Sequence, residues 1–161
     1  MVTGIVIPHE TSVALQKVEF QTLTDYQTAV GGYVELVHLE GHPLAIIADE
    51  DGKVKRLPVN QRATCLWWLL NPKGLGGDFL VGDVVVLGAR RSGNMNDVPA
   101  RLLALLLETS EYQVQVCVSE RSNSWVQIGY NYKDFFEATR NALTLMEVWS
   151  PPEHVKVVAV K

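Results

Sequence analysis

Tyr112-Gln113-Val114-Gln115-Val116-Cys117-Val118-Ser119 sets Tyr112, Val114, Val116 and Val118 in strict alternation with their neighbours. Successive side chains of an extended chain point to opposite faces, so this is the period of a strand with one buried face. Arg121-Ser122-Asn123-Ser124 is a turn, and Trp125-Val126-Gln127-Ile128 reads as the returning partner. A hairpin makes the pairing antiparallel.

Toward the C-terminus, Tyr132 to Trp149 is the longest predicted helix. Phe135, Phe136, Ala142, Leu143, Met146 and Trp149 fall on one face at helical spacing. Pro151-Pro152 stops it, and Val155 to Val160 is a final strand. Toward the N-terminus, Gly4-Ile5-Val6-Ile7-Pro8 and Val18 to Phe20 read as strands. Thr24 is read as the cap of a short helix over 25–30 that Gly31-Gly32 ends. Tyr33 to Leu39, apolar on both faces, reads as a central strand. Leu44 to Ala48 is the next strand. Asp49-Glu50-Asp51-Gly52 reads as a hairpin turn returning through Lys53-Val54-Lys55-Arg56. Asn60 caps a helix through Leu70, ended by Asn71-Pro72. Lys73 to Asp78 is a glycine-rich connection, and Val84 to Gly88 a buried strand. Ala89 to Asp97 has no period and reads as a surface loop or linker. Asp97 and Pro99 open a helix through Leu107.

Helices and hairpins intermixed predict an α+β fold, with a mixed, largely antiparallel sheet and helices packed on one face. Two regions are expected: 1–90, and a helix-hairpin-helix-strand region over 95–161 packed on the first. Arg101 to Leu107 is apolar nearly all round. Such a helix needs cover on more than one side, from the two halves or from a second copy of the chain.

The chain has 161 residues, with 14 Lys+Arg against 18 Asp+Glu, a net charge of −4. That balance weighs against generic binding to phosphate backbones, so nucleic acid is not an expected partner. No apolar run approaches the roughly 20 residues of a membrane span. No secretory leader is evident at Met1-Val2-Thr3-Gly4. Cys65 and Cys117 sit in apolar segments and read as buried thiols of a cytoplasmic protein.

Four segments occur in order: Ala29-Val30-Gly31-Gly32-Tyr33-Val34-Glu35, Asp51-Gly52-Lys53, Leu57-Pro58-Val59-Asn60-Gln61-Arg62-Ala63-Thr64, and Val81-Gly82-Asp83-Val84-Val85-Val86-Leu87-Gly88. Over about residues 26–88 the chain resembles a domain-of-unknown-function family of phage, plasmid and actinobacterial proteins. The resemblance implies an accessory protein in the cytoplasm of a bacterial host. It supplies no catalytic residue.

The residues themselves assemble no HExxH, CxxC or GxSxG pattern, so no catalytic residue, metal site or cofactor is assigned. His38 and His42 are separated by a Pro-containing turn. The residues placed in a contact surface are Tyr33, Asn60, Arg62, Trp67 and Trp68. An Arg beside free helix amides can hold an anion, or it can pair with Asp83 or Glu35. Adjacent Trp67 and Trp68 point about 100° apart, so one of them faces a rim or an interface. The expected function is non-enzymatic binding of a host protein or a small signalling molecule. One alternative is an enzyme in which Asp83, Arg62 and His38 converge. Another is an acidic decoy for a DNA-binding protein.

Overall fold

The computed structural model describes residues 1–117, 121, 123–148 and 154–161. The chain divides into two compact units, Met1–Leu103 and Ala104–Lys161. The fold is α+β, and every pairing between named strands is antiparallel.

Unit 1 contains β1 (Val2–Ile7), β2 (Gln16–Phe20), α1 (Leu23–Val30), β3 (Val34–His38), β4 (Leu44–Asp49), α2 (Gln61–Leu70), β5 (Val84–Arg91) and β6 (Asn94–Asn96). The strand order is β2-β1-β5-β4-β3, with β6 paired to the far end of β5. The centre is β4 and β5, whose residues 44–49 and 84–88 are all buried. One sheet face carries a core of Phe20, Val30, Ile47, Val85 and Leu87 beneath α1. The alternate residues Ile5, Ile7, Ile46, Val84 and Val86 are buried on the opposite face.

Four sequence readings within unit 1 need correction. The strand through Val34–His38 is an edge, not central; its mixed faces reflect half-burial of Val34, Leu36 and Val37. The cap of α1 is Thr22, not Thr24. Thr22 Oγ1 accepts from the Asp25 amide while the Asp25 carboxylate accepts from the Gln21 and Thr22 amides, a reciprocal capping box. Residues 50–56 form no return strand, because β3 and β5 occupy both edges of β4. They wind through successive turns, with Lys55 N–H on the Asp51 carbonyl and Leu57 N–H on that of Gly52. Residues 89–97 are not a linker. β5 continues to Arg91, and Ser92 (φ 50°) and Gly93 (φ 81°) turn the chain into β6. Two consecutive positive φ angles are the conformation of a type I′ hairpin turn.

α3 (Ala100–Leu107) spans the division between the units. Unit 2 contains β7 (Tyr112–Cys117), β8 (Val126–Tyr132), α4 (Phe135–Val148) and β9 (His154–Ala159), in the order β8-β7-β9. The alternation is borne out over 112–116, where Tyr112, Val114 and Val116 are buried and Gln113 and Gln115 half-buried; Cys117 departs from it, being buried as well. α4 packs on this sheet through Phe135, Phe136, Ala138, Ala142 and Leu143. Tyr132 ends β8 rather than opening the helix. Val118, Ser119, Ser122, Trp149 and Pro151-Pro152 lie outside the described residues.

Candidate functional site

The residues singled out in the sequence divide by what they touch. Asn60 is fully buried. Its Nδ2 donates to the Ile7 and Gly82 carbonyls, both at 2.8 Å, and its Oδ1 accepts from the Ala63 amide at 3.0 Å. That is an N-cap that also ties β1 to the approach of β5. Arg62 Nη2 lies 2.7, 3.0 and 2.8 Å from the carbonyls of Pro8, Glu10 and Val13, so it straps the β1–β2 connection. Asp83 holds His9, accepting from its amide at 2.9 Å and facing its Nδ1 at 2.7 Å. Trp68 Nε1 donates to the Asp78 carbonyl, Trp67 is half-buried, and Tyr33 is exposed. Asn60 and Arg62 thus meet on one segment, and Tyr33 is not with them.

His38 pairs with Ala45, and Ala45 with Leu87, four residues beyond Asp83. It therefore lies about 10 Å across and about 13 Å along the sheet from Asp83. The triad of Asp83, Arg62 and His38 does not assemble. Among the described residues no group of three His, Cys, Asp or Glu side chains is placed to hold a metal ion.

Gly32 and the 49–55 turn form a second structural knot. A Cβ on Gly32 would sit 2.6 Å from Asp49 Oδ2 and 2.6 Å from Lys55 Nζ, so only glycine lets these two meet. Asp49 is buried, not the exposed turn acid that its sequence context suggests. It accepts from Lys55 Nζ at 2.6 Å and from the Asp51 amide at 2.9 Å. Burial by itself would raise its carboxyl, but the Lys55 ammonium and the Asp51 amide outweigh burial and hold it below its ordinary value. A carboxyl lower in the folded than in the unfolded chain stabilises above about pH 4 and loses that contribution as pH falls through its folded value. Asp49→Asn is therefore expected to cost about 1–2 kcal/mol at neutral pH, modest because Lys55 is open to water. The gap to wild type should narrow as pH falls below about 4 and through the folded value. Urea midpoints at neutral and acid pH check this, and a gap constant with pH would refute it.

The open site of unit 1 lies on the α1 side of the sheet. An eight-residue helix is about 12 Å long, whereas five strands span about 19 Å. α1 therefore leaves part of the sheet uncovered. What remains is a groove of about 720 Å³, lined by Val2, Tyr26, Leu36, Ile47 and Met95, with Glu35 and Arg90 as the charged residues of its lining. Arg90 Nε donates to the Gly93 carbonyl at 3.0 Å, which fixes the guanidinium against the β5–β6 turn. Its terminal amino groups have no acceptor among the described residues. Tyr26 stacks on Phe20 with ring centroids 4.6 Å apart. Burial, then the neighbouring Asp25 charge, raises its phenol, so the hydroxyl stays protonated at neutral pH. Apolar floor, phenol and oriented guanidinium suit a ligand with an apolar body and one anionic group.

Sequence reasoning missed this groove. Leu36 and Ile47 read as ordinary strand residues, and Arg90 and Met95 as part of a loop. The visible signal was the dipeptide Ser92-Gly93, which fits a tight hairpin between flanking β segments.

A family model described as Domain of unknown function (DUF3846) matches residues 2–111. No curated protein and no solved structure matches the chain.

Proposed function

We propose that this chain, which belongs to the DUF3846 family, works by binding a small amphipathic anion in the groove beside α1. The observation that carries the reading is the pairing of an apolar floor with an oriented guanidinium whose terminal amino groups are uncommitted. A volume of about 720 Å³ falls within the roughly 300–1,000 Å³ of small-molecule sites. An accessory role in a bacterial host, acting on a small signalling molecule, is the setting we propose for it. Tyr33, Trp67 and Trp68 fall outside the groove lining, which leaves them for contact with a host protein.

Anilinonaphthalene sulfonate, an aromatic body with a single sulfonate, is the probe. Its fluorescence is expected to rise saturably with the folded protein. Met95→Glu and Leu36→Glu, on separate strands lining the groove, should each weaken binding about ten-fold or more, since a carboxylate repels the sulfonate and wets the floor. Arg90→Gln should weaken it several-fold. Absence of saturable binding, or binding indifferent to both glutamate variants, overturns the assignment.

A further inference from the structure

We propose that β2 is a pairing edge whose partner is the β2 strand of a second copy of this chain. β2 is an outermost strand of its sheet. Thr3 of β1 stands opposite Glu19. The Thr3 amide turns away from β2, to Asp97 Oδ1 at 2.8 Å, and its carbonyl accepts from the Val98 amide at 2.9 Å. Antiparallel ladders alternate bonded and non-bonded pairs, so Thr3–Glu19 is a non-bonded pair. Glu19, and by the same alternation Lys17, point their own N–H and C=O outward from the sheet.

Lys17 and Glu19 are both exposed and share one face. Among the described residues neither forms an ion pair; Glu19 accepts only the Thr3 hydroxyl, at 2.8 and 3.0 Å. A lysine on an edge strand ordinarily deters a stray strand. Here a two-fold axis through Val18 sets Lys17 against the partner's Glu19 and Glu19 against the partner's Lys17. The deterrent becomes two ion pairs. The outward main-chain groups of these same residues then exchange hydrogen bonds across the axis. Val18 meets its own copy at a non-bonded pair, where side chains approach most closely.

The neighbouring registers are penalised. A one-residue shift of the axis puts Lys17 on Lys17 or Glu19 on Glu19, and like charges directly opposite destabilise a sheet. On the α1 side, half-buried Val18 lies beside Phe20 and Ala29 in a groove of about 420 Å³ that Asp25 and Asp83 also line. The edge is thus complementary to itself in charge, hydrogen bonding and register.

Sedimentation equilibrium of the full chain, up to hundreds of micromolar, is expected to show a monomer–dimer equilibrium. K17E and E19K should each weaken dimerisation about ten-fold or more, because attraction becomes repulsion at two symmetric positions. An equimolar mixture of the two variants should recover the dimer, since their charges complement one another. The K17E/E19K double exchange should recover it in a single chain, which reads the pairing even where one single variant folds poorly. A wild-type monomer throughout, a dimer indifferent to K17E, or a double exchange that stays monomeric each overturns the proposal.

Discussion

Asn60→Ala is expected to cost unit 1 about 3–5 kcal/mol. Loss of the N-cap acceptor accounts for about 1 kcal/mol. The remainder comes from the Ile7 and Gly82 carbonyls, left in a buried site without their donor at about 1–2 kcal/mol each. Alanine also leaves a void that water can fill only in part, which sets the lower bound. Asn60→Asp separates the contributions. It keeps an acceptor for the Ala63 amide but turns a carboxylate toward two carbonyl oxygens, so it should be at least as destabilising as alanine. Hydrogen exchange at the α2 and β1 amides, with urea unfolding, reads both. An Asn60→Asp protein close to wild type would show that Asn60 acts as a cap alone. Domains are stable by about 5–15 kcal/mol, so either variant should leave unit 1 near its unfolding threshold at physiological temperature.

Gly88→Ala is the second large effect, expected at about 2–4 kcal/mol. An ideal Cβ there would lie 2.3 Å from the Asp97 carbonyl oxygen and 3.1 Å from Asn96 Cβ. The obstacle is backbone, not the end of a movable side chain, so the segment after β6 must shift. The shift would strain the Thr3–Asp97 and Val98–Thr3 hydrogen bonds that anchor this segment to β1. Gly41→Ala is the control. Gly41 has φ 79° with nothing within 4 Å of its Cβ position, so it should cost only the conformational penalty of about 1 kcal/mol. Equal losses at the two positions, measured by urea denaturation, would show that crowding at Gly88 is relieved at little cost.

Both positions bear on what could be read in advance. Asn60 was recognisable as a cap because Asn before an apolar helical run has one dominant local use. Its two donors to Ile7 and Gly82 were not, since those partners are 53 and 22 residues away. Arg62 likewise was identifiable as a helix-start cation but not as a strap on Pro8, Glu10 and Val13. Asp49 stands in the turn-like run Asp49-Glu50-Asp51-Gly52, a context that suggests an exposed acid. Its burial depends on Gly32 and Lys55 arriving from opposite directions, which no window of sequence contains. The edge position of β3 was hidden for the same reason: half-buried apolar residues look alike whether a neighbour strand or a helix covers them.

Local chemistry in the chain was enough to determine the strand at 112–117, the helix starting at Asn60, the stop at Gly31 and the α+β class. Each follows from side-chain period, capping geometry or glycine's access to φ above zero, all of which act within a few residues. Strand order, the groove that α1 leaves open, the guanidinium of Arg90 in its lining and the self-complementary edge at Lys17 and Glu19 came only from the tertiary structure. They depend on which distant segments pair, and pairing is decided by the summed burial of the whole sheet, not by any one segment's preference.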